Sequence, residues 1–223
     1  MCGRFAYFGD GYQGNSSLDL PPPPAQFTSY NIAPSQNILV VRKDPESGHS
    51  EWAILRWGLV PFWSKTGKTK SVLINARAEG IEQKPSFRGP FKYRRCIVPA
   101  SGFYEWRKSD GGKQPYFIRP RDAGYFAFAG IWDHWQGEGG EVIESCAIIT
   151  TEANGVLRDI HERMPVIVGG DDVAAWLDTV TGRKEVLGLL QPCPEETLEA
   201  YPVAPLVNSP RNNRPECVVR VKT

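Results

Sequence analysis

The chain has 223 residues, with 26 Lys and Arg against 25 Asp and Glu and a formal net charge of +1 at pH 7, which is length for one large domain or two small ones with a sizeable core. With 41% hydrophobic and 23% charged residues, 22 Gly and 19 Pro, the composition is globular and turn-rich, and excludes a disordered chain or a coiled coil. A charge this close to zero also excludes a bulk polyanion binder, so any contact with nucleic acid must come from a local group of arginines.

The opening Met1-Cys2-Gly3-Arg4-Phe5 lacks the basic and apolar regions of a secretory signal, and no run of 18 apolar residues reads as a membrane span. The expectation is a cytoplasmic protein without a membrane partner. The four prolines at 21–24 form a stiff, extended surface spacer. Strands are expected at 37–42, 51–57, 96–100, 103–107, 115–119, 125–131, 143–150, 165–168 and 217–221. A helix is expected at 171–179, capped by Asp171 or Asp172, with Val173, Ala174, Trp176 and Leu177 facing inward. A second short helix is expected at 183–190. Short connections such as Asp110-Gly111-Gly112 and the Gly-rich stretch at 137–140 indicate antiparallel hairpins and not βαβ crossovers. No repeat of 20 to 50 residues is visible, which excludes a solenoid or propeller. The expected architecture is a single α+β domain over 1–223, with mainly antiparallel strands forming a curved sheet or barrel-like core and short peripheral helices.

The five cysteines, Cys2, Cys96, Cys146, Cys193 and Cys217, are odd in number and widely spaced, which fits reduced thiols and offers no disulfide framework. Neither a Cys-x-x-Cys pair nor a His-x-x-x-His pair accompanies the three histidines, His49, His134 and His161, so no metal site and no cofactor are expected. Cys2 is chemically distinct, because removal of the initiator methionine would leave a cysteine with a free α-amine, a 1,2-aminothiol. An α-amine titrates near 7.7 to 8.0 against about 10.4 for lysine, so its neutral fraction at pH 7 is roughly 300 times larger. It can form an imine with an aldehyde, and its thiol can then close a five-membered thiazolidine, a ring closure that intramolecularity strongly favours. The bland alternative is a small hydrophobe that happens to follow the start codon.

Six ordered blocks settle which reading to develop: Met1-Cys2-Gly3-Arg4; Arg56-Trp57-Gly58-Leu59-Val60-Pro61 with Trp63; Asn75-Ala76-Arg77; Gly102-Phe103-Tyr104-Glu105-Trp106; Ile160-His161 with Arg163-Met164-Pro165; and Arg211-Asn212-Asn213 before Pro215-Glu216-Cys217. Together they span nearly the whole chain, and the sequence resembles the SRAP (SOS response-associated peptidase) family, whose members crosslink to abasic sites in DNA. The resemblance implies catalytic positions at Cys2, Asn75, Glu105 and His161. It also inclines Trp57 and Pro34 toward DNA contact, with Thr150, at a strand end, as a similar candidate.

Each position has a chemical role and a bland counterpart. In a strand, Phe103, Glu105 and Arg107 share one face and Tyr104 and Trp106 the other. Glu105 is then either a strand carboxylate paired with Arg107, or a buried acid of raised pKa that protonates the sugar ring oxygen as abasic deoxyribose opens to its aldehyde. His161 is either a satisfied core or surface histidine, or a neutral imidazole that moves protons during imine formation and adduct reversal. Asn75 is either a turn or cap residue before a helix-compatible segment at 76–79, or a carboxamide that orients the amine or a sugar hydroxyl. Arg4, Arg77 and Arg163 each lie two residues from one of these positions, and guanidinium forks suit phosphate contact. Arg211 and Arg214 are further candidates. The aromatic residues Phe62 and Trp63 flank the same loop as Trp57, where rings can stack on an unpaired base or wedge a duplex end.

The expected function is a sensor of abasic sites in single-stranded DNA that forms a covalent crosslink through Cys2, is reversible, and acts as a monomer associated with the nucleoid when bound. Two alternatives stand beside it. One is a cysteine peptidase with Cys2 as nucleophile and His161 as base, whose minimal reaction is removal of Met1. The other is a module that binds DNA ends or junctions through arginines and aromatics, with Cys2 incidental.

Overall fold

The computed structural model describes residues 2–9, 23–24, 27–67, 72–109, 111–122 and 124–222; Met1, Pro21 and Pro22 lie outside them. In chain order the strands are β1 (Phe5–Tyr7), β2 (Ser29–Ile32), β3 (Asn37–Lys43), β4 (Ser50–Trp57), β5 (Asn75–Arg77), β6 (Arg95–Ala100), β7 (Gly102–Ser109), β8 (Gly112–Pro120), β9 (Phe126–Gln136), β10 (Val142–Glu152), β11 (Arg163–Pro165) and β12 (Leu198–Pro202). The helices are short: α1 (Arg88–Tyr93), α2 (Gly155–Arg158), α3 (Val173–Leu177) and α4 (Arg183–Gly188).

The strands β10, β4, β3, β6 and β9 neighbour one another in that order, and β9 pairs back onto β10 to close a barrel. Closure removes the free sheet edges on which other chains add. The longest hairpin, β9 with β10, runs in register from Val142 opposite Gln136 to Ile148 opposite Gly130. Two pairings depart from the antiparallel rule, because β10 lies parallel to β4 and then to β5. A second sheet of order β12-β8-β7-β1-β2 packs alongside.

Two apolar clusters follow from this arrangement. The larger fills the barrel and includes Phe5, Trp57, Phe103 and Phe128, while the smaller gathers Ala6, Tyr104, Phe117, Tyr201, Val203, Val207 and Cys217. Strand β7 divides them, since Phe103 belongs to one cluster and Tyr104 to the other, as strand alternation requires. Gly102 permits the close approach of β7 to β8, because a Cβ there would collide with the Phe117 ring and the Ile118 carbonyl. Gly58 has φ +136°, and a Cβ there would meet Val72 Cγ1 at 2.6 Å, so the turn out of β4 needs glycine.

Several sequence expectations are corrected. Residues 217–221 form no strand: Pro215 opens a 3-10 turn, Pro215–Val218, that drives Cys217 into the smaller cluster, and only Arg220 bridges to Val203. The strand expected at 165–168 sits earlier, as β11, with Ile167 contributing an isolated bridge to Phe128. The helix expected at 171–179 is a 3-10 turn, Gly170–Asp172, followed by α3, and the Asp172 side chain makes no capping bond. Asn75 opens a strand that pairs with β10, not a helical segment. Arg107 does not pair with Glu105; its guanidinium sits 4.9 Å from the Tyr116 ring centroid.

Candidate active site around Cys2

Cys2 precedes β1, which is fixed on β7 by the pairing of Phe5 with Phe103 and by the bond from the Tyr104 amide to the Arg4 carbonyl at 2.9 Å. The free thiol of Cys2 is fully buried. On one side lies Asn75, whose Nδ2 donates to the Cys2 carbonyl at 2.8 Å. Its carboxamide oxygen is buried and accepts no hydrogen bond among the described residues, which leaves an acceptor open. Strand β5 holds Asn75 there by pairing it opposite Ile148 of β10.

Glu105 approaches from β7, on the face that carries Phe103 into the barrel cluster. It is only 3% exposed, and burial pushes its carboxyl up to about 7, against the pull of the positive charge at the chain's amino terminus. A carboxyl that titrates there is protonated in substantial part at neutral pH and can donate. Burial also pushes the Cys2 thiol well above its ordinary value, and the negative charge of Glu105 adds to that rise. The two side chains are therefore electrostatic neighbours.

His161 lies between α2 and β11. The side chain of Asn154 caps α2 by accepting from the Leu157 amide at 3.3 Å, and the His161 amide in turn donates to the Leu157 carbonyl at 2.8 Å. The Arg163 amide donates to His161 Nδ1 at 3.0 Å, which places the proton of a neutral ring on Nε2. Burial holds the His161 pKa below the usual histidine range, and the amino-terminal charge lowers it further. The same charge thus acts on Glu105 and on His161. An acid poised near neutrality, a neutral imidazole and an open carboxamide acceptor form a set suited to proton transfer at the head of the chain. Among the described residues, no group of three or more His, Cys, Asp or Glu is placed to hold a metal ion.

The arginines differ in how they are engaged. Arg77 is exposed at the end of β5. Arg163 forms a bidentate pair with Glu79, at 2.7 and 2.9 Å, and donates to the Thr150 carbonyl at 2.6 Å. Arg4 donates from Nη1 to Asn31 Oδ1 and to the Val207 carbonyl, both at 2.7 Å, and lies 5.9 Å from the Trp106 ring centroid. Arg211 is exposed, and Arg214 stands 3.8 Å from Glu216.

Trp57 and Thr150, two of the candidate DNA contacts, lie beneath the surface. Both are fully buried: Trp57 packs edge-on against Phe5 at 5.2 Å and donates Nε1 to the Ile74 carbonyl, while Thr150 lies within the pairing of β10 with β5 and β11. The aromatic surface in this region is Phe62 and Trp63, at 62% and 52% exposure. Pro34 is half-buried at a turn in which Ser35 adopts φ +71°.

Asn31 of β2 was not legible as a site residue. Its Nδ2 donates to the carbonyls of Val207, Ser209 and Asn212, while its Oδ1 accepts from Arg4. Asn213 reinforces this clasp by accepting from the Tyr30 amide at 2.7 Å. The Arg211-Asn212-Asn213 block was the one available signal, and it supports the polypeptide beside Arg4.

Known proteins resemble this chain over most of its length. The family model described as SOS response associated peptidase (SRAP) matches residues 1–210. The abasic site processing protein YoqW of Bacillus subtilis (strain 168) is 43% identical over 223 residues, covering 98% of this chain and 99% of that protein. The abasic site processing protein HMCES of Gallus gallus is 36% identical over 225 residues, covering 87% of this chain and 66% of that protein. A crystal structure of a Bacteroides thetaiotaomicron protein superposes with a TM-score of 0.79 at 33% identity, covering 86% of this chain and 85% of that one.

Proposed function

This chain belongs to the SOS response associated peptidase family, and from that premise we propose that it captures abasic sites in single-stranded DNA as a covalent thiazolidine through Cys2 once Met1 has been removed. Abasic deoxyribose equilibrates between a closed ring and an open aldehyde, and only the aldehyde reacts. Protonated Glu105 donates to the ring oxygen as the ring opens. The neutral amine of Cys2 attacks the aldehyde carbon, the resulting carbinolamine loses one water, and an imine remains. The Cys2 sulfur then bonds to the imine carbon while its proton passes to the nitrogen, which closes the five-membered ring. Asn75 holds the Cys2 carbonyl and offers its carboxamide oxygen to the amine. His161 carries protons as the ring reopens, so the adduct is reversible.

The observation that carries this reading is the junction of a buried Cys2 with the Asn75 carboxamide and a carboxyl titrating at about 7. The peptidase reading is less well supported, because a thiol nucleophile acts as thiolate and Cys2 is held in its neutral form by burial and by Glu105. An amine attacking first does not need the thiolate.

Intact-mass measurement tests the proposal. The processed protein, mixed with a single-stranded oligonucleotide bearing one abasic site, should gain the mass of the strand less one water and keep it in denaturant. Cys2→Ala, or retention of Met1, should abolish the species. Absence of the product from the processed wild type, or a linkage at another residue, overturns the proposal. His161→Ala is expected to form the adduct and to release it more slowly when the strand is chased with excess aldehyde trap.

A further inference from the structure

Glu79 occupies the guanidinium fork of Arg163. It follows β5 by two residues, beyond exposed Arg77, and its carboxylate grips Arg163 through two parallel bonds at 2.7 and 2.9 Å. Side-chain exposure is unequal across the pair, 13% for Arg163 and 59% for Glu79. The arginine is thus seated in the protein, with Nη2 also bonded to the Thr150 carbonyl at 2.6 Å, while the carboxylate is the partner that faces water. A carboxylate and a phosphate present the same bidentate oxygen pair to a guanidinium fork. Arg77 also acts electrostatically on Glu79, so one carboxylate serves two of the arginines assigned to the backbone of the strand.

We propose that Glu79 is a specificity-determining residue, an internal stand-in for phosphate that a DNA strand must displace from Arg163 before that arginine can hold it. The inference rests on the reading of Arg77 and Arg163 as phosphate ligands. Its consequence is selectivity by attenuation: every single strand meets the same competitor and binds weakly, while a strand with an abasic site is retained by the covalent bond. The leaving carboxylate swings into solvent, which it already faces at 59% side-chain exposure.

Fluorescence anisotropy with an undamaged single-stranded oligonucleotide tests this directly. Glu79→Gln keeps the shape and removes the charge, and should lower the Kd by about two- to fivefold, the upper part of the range expected when an exposed ion-pair partner is removed. It should also steepen the log-log salt dependence by up to about 1. In an Arg163→Gln background the same Glu79→Gln change should alter the Kd less than twofold, because the fork for which Glu79 competes is gone. Unchanged or weaker binding by Glu79→Gln overturns the inference and makes Glu79 a support that orients Arg163. An affinity gain that persists without Arg163 also overturns it. Crosslinking to an abasic oligonucleotide, measured separately, distinguishes the two levels: failure to crosslink with the affinity gain intact removes the proposed function and leaves the phosphate stand-in standing.

Discussion

Burial of one carboxyl carries a stability cost and supplies the acid of the proposed reaction. Glu105 titrates at about 7 in the folded chain against an ordinary value of 4.5, so folding holds a proton that the unfolded chain releases between those values. The contribution is fully present below about pH 4.5 and is lost as pH rises through 7. With one unit equal to 1.36 kcal/mol, the loss amounts to something on the order of 3 kcal/mol by pH 8. Glu105→Gln should therefore be more stable than wild type at pH 8 and equal to it near pH 4, as read by denaturant unfolding at the two pH values. The same substitution should alter the kinetics. In the proposed reaction crosslinking needs protonated Glu105 and a neutral amine of pKa near 7.7 to 8.0, so its rate should peak between about pH 7 and 8. In Glu105→Gln the alkaline decline should vanish and the rate near pH 7 should fall by about 10²-fold, the low end of what a general acid contributes. A variant that kept the full bell would remove Glu105 from the acid role.

The long elements announced themselves and the short ones did not. Strands β3, β4, β9 and β10 carry runs of β-branched and aromatic residues bounded by turn residues, and the β7–β8 and β9–β10 hairpins lie where the glycines before β8 and at 137–140 indicated. Strands β1, β2, β5 and β12 have three to five residues, too few for a two-residue period to register. The site shows a similar division. Cys2, Asn75, Glu105 and His161 were nameable from ordered blocks, whereas Asn31 and Glu79 act through partners up to 181 and 84 positions away, and nothing local in the sequence marks such contacts. The aromatic loop shows where residue type misleads. Trp57 carries an indole yet lies under the surface, and Trp63 presents the exposed ring. Trp57→Phe should lower stability by about 1 to 3 kcal/mol through the lost packing and the lost bond to Ile74, with DNA affinity unchanged. Trp63→Ala should leave the unfolding midpoint nearly unmoved and weaken single-strand binding by about fivefold or more, since base stacking on an aromatic ring is worth about 1 to 3 kcal/mol. Thermal unfolding and anisotropy on the two proteins check both statements.

For the molecule as a whole, a net charge of +1 leaves little long-range field to draw in a polyanion, so the proposed strand contact rests on a few arginines. If three of them meet phosphates of one strand, the non-covalent step should show a log-log salt slope of roughly −2, measurable by titrating undamaged oligonucleotide at several salt concentrations; a slope near zero would take the arginines out of the interface. Among the described residues no helix is long and apolar enough to cross a membrane. The clasp around Arg4 joins distant parts of the chain, since the guanidinium bonded to Val207 belongs to a residue 203 positions earlier. Translation therefore makes this contact among its last: a nascent chain emerging from the ribosome has its head unfastened until residue 207 has cleared the exit tunnel. A methionine-trimming enzyme acting during synthesis would meet residues 1 and 2 in that interval, before the finished fold buries Cys2.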